Sequence, residues 1–192
     1  MAEAIDTPRN GVAQALDGSR DFDFLEGLHQ VRRMRRHPAL TGRPDWEVFE
    51  ALGSSMALPG GVGRIDELLT PGRDEDAMAT LRVYDGCIRS WTLYPLGRDG
   101  TPQSPLKGSF SEGVGVFAGW TTLGCRQVRI RQTWSLLGRD LARFEQARSA
   151  NGHTWEADWI MLLTRLHRHT ASAASGGLQL ATAWMFSDSG RT

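Results

Sequence analysis

The chain has 192 residues, 40% hydrophobic and 23% charged, enough for one domain with a substantial core. Its 22 basic and 22 acidic side chains cancel, which leaves no excess positive charge for a nucleic-acid surface, and two cysteines are too few for a disulfide-stapled scaffold. No stretch approaches the ~18 apolar residues of a membrane span and the first twenty lack a signal-peptide core, so the sequence predicts a soluble, cytoplasmic chain with reduced thiols and no membrane partner.

Residues 1–20 are polar and aperiodic and read as a flexible lead-in. Order is predicted to begin at Asp21-Phe22-Asp23, where Asp21 or Asp23 could cap a short helical turn ending at Gly27. Residues 29–37 then alternate, with His29, Val31, Arg33 and Arg35 on one face, until Pro38 ends the segment. Further strands are predicted over 46–52 and, after the Pro59-Gly60-Gly61 turn, over 63–69. Residues 79–84 and 88–94 form a hairpin around Asp85-Gly86-Cys87. Residues 107–111 and 114–120 form a second around Glu112-Gly113. Residues 127–134 and 141–148 form a third around Gly138-Arg139-Asp140, and 154–166 completes the series.

The most informative stretch is FEQARSANGHTWEADW, residues 144–159. Asn151-Gly152 is a strong hairpin signal because both residues tolerate the positive φ of a tight turn. The flanking aromatics are bulky for a solvent-facing ribbon and need a second sheet, a barrel interior or a ligand to pack against. With no long amphipathic helix, strands at regular spacing and repeated tight turns predict an all-β fold. The expectation is an antiparallel up-and-down barrel of about eight to ten strands, since closure removes exposed edges. The domain plan is a lead-in over 1–20, a ligand-binding barrel over 21–168 and an extension over 169–192. The extension carries an apolar cluster at Leu178, Leu180, Trp184 and Phe186. It could fold back as a lid or clasp a homodimer.

FDFLEG, VRRMRR, DWEVFEA, LRVYD with IRSWTLY, and FEQARSANGHTWEADWIMLLTR resemble a family of short, largely uncharacterised bacterial proteins. That family is itself similar to the calycins, the lipocalin and fatty-acid-binding barrels. The resemblance spans residues 21–166 and implies a closed barrel with an internal cavity, not a reaction. Relative to that pattern, His29 stands where tryptophan is usual and Asp158 where asparagine is usual, and the chain runs on past Arg165.

These two exchanges introduce side chains that can move a proton. His29 is the candidate acid or base, with a carbonyl-paired edge histidine as the bland reading. Glu156 and Asp158 share a strand face, where a solvated outer surface is the expected fate and divided acid–base work the sharper one. An inward Arg33 could pair with a carboxylate or enolate, whereas Arg129 and Arg131 fit a plain outer face. Trp91, Gln132, Trp134, Phe144, Gln146, Trp155 and Trp159 form the candidate ligand-binding set: apolar walls with a few polar groups that need partners.

No nucleophile elbow, phosphate loop, dinucleotide fingerprint or zincin motif occurs, and no metal or cofactor is expected. Haem is a minor alternative, with His153, His167 and His169 poorly placed for it. Two functions follow. One is a small cofactor-free enzyme, a cyclase or isomerase, acting on a largely apolar, polyketide-like metabolite with His29, Asp158 and Arg33 in the chemistry. The other is a non-catalytic binding or carrier protein. The enzyme reading is placed slightly ahead.

Overall fold

The computed structural model describes residues 18–36, 45–74, 77–97 and 99–167. Ten antiparallel strands occur in chain order: β1 (Gly27–Arg36), β2 (Trp46–Ala57), β3 (Gly63–Leu69), β4 (Met78–Asp85), β5 (Ser90–Leu96), β6 (Leu106–Ser111), β7 (Val114–Leu123), β8 (Arg126–Leu136), β9 (Leu141–Ser149) and β10 (Glu156–Arg165). Each pairs with the next, and β1 closes on β10, with His29 opposite Arg165 and Arg35 opposite Trp159. This is the expected up-and-down barrel of calycin-like form. Residues 1–17 of the expected 1–20 lead-in and the whole 169–192 extension, with its lid or clasp, lie outside the described residues.

Local chemistry sets the turns. Glu112 (φ 51°) and Gly113 (φ 78°) supply the two positive φ values of a type I′ hairpin between β6 and β7. The β9–β10 connection departs from the expected tight turn. Only Gly152 takes positive φ, and Asn151 acts through its side chain, accepting from the backbone N–H groups of His153 (2.8 Å) and Thr154 (2.9 Å). Trp155 consequently lies in the loop, ahead of β10.

A ten-stranded barrel is wider than the eight-stranded case whose own side chains just fill it. Here the chain before β1 fills one end. A short 3-10 turn, Asp23–Leu25, sets Phe22 inside the barrel, fully buried. The Phe22 ring lies 4.9 Å from Phe110, 5.0 Å from Trp91, 5.4 Å from Phe117 and 6.0 Å from Trp134, mostly edge-to-face. The Trp91 indole N–H donates to Gly18 O at 3.0 Å, and Arg165 at the end of β10 donates to the backbone oxygens of Phe24 (2.7 Å) and Glu26. Neither Asp21 nor Asp23 caps this turn: the residue before it is Phe22, and the Asp23 carboxylate turns to Arg20 and Arg64 instead. Gly108 on β6 is opposite Trp91 and Phe117, where the strands approach so closely that a Cβ would stand 1.8 Å from Val116 O.

Phe22→Ala is expected to cost about 3–5 kcal/mol, the range for emptying a packed aromatic site. Urea denaturation measures it, and a loss below about 1 kcal/mol would show that the floor holds without the plug.

Candidate functional site

Above the floor the barrel is hollow. A cavity of about 250 Å³ is bounded by Leu68, Ile130, Trp134, Phe144, Met161 and Leu163, and reaches the exposed Gln103-Ser104 segment of the β5–β6 loop. Leu25, Met78, Pro95, Leu106 and Trp159 extend the apolar wall, and the main buried polar side chains on it form two groups at different heights.

The lower group sits beside the plug. Arg82 on β4 is buried, its guanidinium 4.3 Å from the Phe22 ring and 4.8 Å from the Trp134 ring. It donates through Nε to Asp66 on β3. Ser55 donates to the other Asp66 oxygen at 2.5 Å and accepts from Arg64 Nε at 2.9 Å. Arg64 also reaches Asp23 and Glu26 on the plug. Burial pulls the Arg82 pKa down and the Asp66 charge opposes the shift. A buried charge is tolerable only when paired and hydrogen-bonded, and this network supplies both.

His29 belongs to this lower end. It is buried on β1 and lines the cavity near the backbone of Phe24 and Gly27. Burial lowers its pKa, Arg165 adds to the effect, and the Phe24 backbone, Asp66 and Gly27 oppose it. The imidazole is therefore neutral near pH 7.

The upper group is built by a bulge in β10. Register shifts between Ala157 and Trp159, so the strict alternation that sends Asp158 outward with Glu156 fails here. Asp158 and Trp159 are both buried as a result. The expected solvent exposure of Asp158 is thus corrected: the extra residue turns its carboxylate inward. Arg148 donates to Asp158 Oδ2 and Gln146 Nε2 to Oδ1 at 3.3 Å, while Gln132 Nε2 donates to Gln146 Oε1 at 3.2 Å. Burial raises the Asp158 pKa, and Arg148, Gln146 and Arg35 hold it down. Glu156 stays at the margin, paired with Arg36.

Of the sequence-derived ligand-binding set, Gln132, Trp134, Phe144, Gln146 and Trp159 line the cavity. Trp91 packs into the floor against Phe22 and Tyr84. Trp155 lies under the Arg131 guanidinium at 4.5 Å, half-buried in its loop. Arg33 is fully buried, donating to Thr70 Oγ1 at 3.1 Å and stacked 5.0 Å from Phe49 and 4.9 Å from Trp159. Arg33 is not on the cavity wall, whereas Trp159 and Met78, which it touches, are. His29 and Asp158 stand at opposite ends. His29 is opposite Arg165, whereas Arg35 is opposite Trp159, about 20 Å further along β1 at ~3.3 Å per residue.

Arg82, Asp66, Arg64, Ser55 and Arg148 were not singled out from sequence. A signal existed: Arg64 and Asp66 share strand parity with Leu68, and Arg82 shares it with Tyr84. Among the described residues, no His, Cys, Asp or Glu cluster could hold a metal ion. His153 is exposed, His167 faces Asp140 at 3.4 Å, and His169 lies outside the described residues. Cys87 and Cys125 are free and exposed. Among the described residues, no helix is long and apolar enough to cross a membrane. Comparison with known protein families and with curated proteins returned no match to this chain.

The two shifted groups act on stability with opposite sign. The His29 pKa is lower folded than unfolded, so the unfolded chain takes up the proton first and stability falls as pH drops below about 6.5. The Asp158 pKa is raised on folding, so its penalty is relieved as pH falls through that raised value toward about 3.9. His29→Gln is expected to flatten the loss of stability between about pH 7 and pH 5 in chemical denaturation. An unchanged profile would show that His29 protonates equally well in both states.

Proposed function

We propose that this chain is a small-molecule-binding barrel that takes a compact, largely apolar metabolite into its interior. One observation carries the reading: a cavity of about 250 Å³ lined mainly by apolar side chains, with buried hydrogen-bonding groups such as Arg82, Gln132 and Gln146 on its wall. Ligand sites are built in that way, with apolar surface for affinity and a few fixed polar groups for orientation. The volume lies just below the ~300–1,000 Å³ of drug-sized sites, which favours a ligand of about one or two rings over an extended polyketide chain. The resemblance of the sequence to bacterial calycin-like proteins agrees with this assignment.

Binding is placed ahead of catalysis because the two proton-transferring candidates stand at opposite ends, too far apart to act together on one bond of a compact ligand. A cyclase or isomerase remains the second reading, favoured by His29: a neutral imidazole facing the cavity is suited to accept a proton. On that reading, Arg82 and Trp134 at the same end would steady developing negative charge.

Calorimetric titration with 2-naphthol, a two-ring probe, tests the first reading. One site with micromolar affinity is expected. Ile130→Trp, which fills the cavity, should weaken it at least about tenfold while thermal stability is retained. Absence of saturable binding, or equal affinity in the filled variant, would contradict a ligand site inside the barrel. On the enzyme reading, His29→Ala cuts turnover by about two orders of magnitude and leaves ligand affinity near wild type. Unchanged turnover would remove His29 from the chemistry.

A further inference from the structure

We propose that Gln132 is the specificity-determining acceptor of the cavity, held in that role by Asp158 acting through Gln146, so that the site takes compact ring compounds bearing a hydroxyl or N–H donor. The proposal rests on the small-molecule reading above and deepens it.

The argument follows hydrogen-bond polarity across three strands. Gln132 on β8 is directly opposite Gln146 on β9, and Gln146 is opposite Trp159 on β10, beside the bulge that turns Asp158 inward. An ionised carboxylate only accepts hydrogen bonds. With Arg148 donating to one oxygen of Asp158, the other takes the Gln146 amide N–H at 3.3 Å. Gln146 must then present its oxygen to Gln132, whose amide N–H donates to it at 3.2 Å. That leaves Gln132 with its own oxygen uncommitted: among the described residues nothing donates to Gln132 Oε1, and Gln132 lines the cavity. Neither glutamine can flip without setting like against like, so Asp158 fixes the sense of both amides.

The consequence is selectivity. Both glutamines are buried side chains, and once a ligand covers Gln132 Oε1 an acceptor left without a donor is costly. A ligand with a hydroxyl or N–H at this height satisfies Gln132 Oε1. An isostere with the donor capped displaces water and strands the oxygen. Asp158 touches no part of the ligand in this arrangement and is a positioning residue. Protonation would make it a donor and reverse the chain, turning the Gln132 amide N–H groups to the cavity. The charged groups facing Asp158 are Arg148 from β9 and Arg35 from β1, flanked by the Arg36–Glu156 pair between β1 and β10. The arginines oppose that protonation.

Two measurements on the full chain test this. The first compares 2-naphthol with 2-methoxynaphthalene, the same ring with its donor capped. Near pH 8 the wild type is expected to favour 2-naphthol about tenfold. Gln132→Met should bind both probes with no preference, Asp158→Asn should shrink the preference to below about threefold, and acidification from about pH 8 toward about pH 4 should erode it in the wild type. Equal affinities in the wild type, or a preference untouched by Gln132→Met, would overturn the proposal while leaving the cavity a ligand site. The second needs no ligand. The side-chain amide resonances of Gln132 and Gln146 are expected to titrate together with the Asp158 carboxyl and to stay flat in Asp158→Asn. A Gln132 amide that stays flat while the wild-type Asp158 titrates would overturn the proposal even if both probes bind. If neither probe binds, the small-molecule reading falls and the amide titration alone decides whether the relay exists.

Discussion

Everything in this barrel depends on how its width is filled. Ten strands enclose more space than their inward side chains occupy, and an unfilled interior forfeits the dispersion contacts that a packed core supplies. The solution is local. Phe22, carried in by the segment before β1, meets Trp91, Phe110, Phe117 and Trp134 and converts one end into solid core. Because the plug belongs to the chain entering β1, it fixes the floor without covering the other end. A narrower barrel or a longer plug would leave no cavity.

Burying the plug beside charged strands creates the second constraint. Arg82 stacks on Phe22 and Trp134 while its Nε pairs with Asp66, and Ser55 and Arg64 complete the ring. Losing one partner of a buried pair typically costs ~3–5 kcal/mol, because the other charge is stranded. The same network places cationic and donor groups at the base of the cavity, next to a neutral His29. At the upper end a single bulge does comparable work by turning one carboxylate inward, where two glutamines and Arg148 receive it. Buried polar side chains that pair within the fold at each end thus also line the cavity.

Much of this architecture was legible in the sequence. Period-two alternation and glycine-marked turns located all ten strands, and the span from Gly63 to Leu69 agrees residue for residue. The Glu112-Gly113 turn was readable because its chemistry is local. The candidate site was legible in part, since Gln132, Trp134, Phe144, Gln146 and Trp159 share parity with the apolar face. What escaped depends on partners distant in sequence. A bulge leaves no composition signal, so Asp158 read as an outer-face carboxylate. Arg64, Asp66 and Arg82 were not singled out, because only pairing across β2, β3 and β4 makes their burial tolerable. Phe22 read as part of a capped turn, because nothing local says that its ring enters the barrel.

The division of the interior into a solid floor and a hollow upper half can be measured directly with xenon, which enters apolar cavities and leaves packed cores alone. Methyl resonances recorded under xenon pressure should shift at Ile130, Met161 and Leu163, which line the cavity. Leu93 and Val31, fully buried and outside its wall, should stay silent. Shifts at none of these methyls, or at Leu93 and Val31 as strongly as at the cavity wall, would contradict the division.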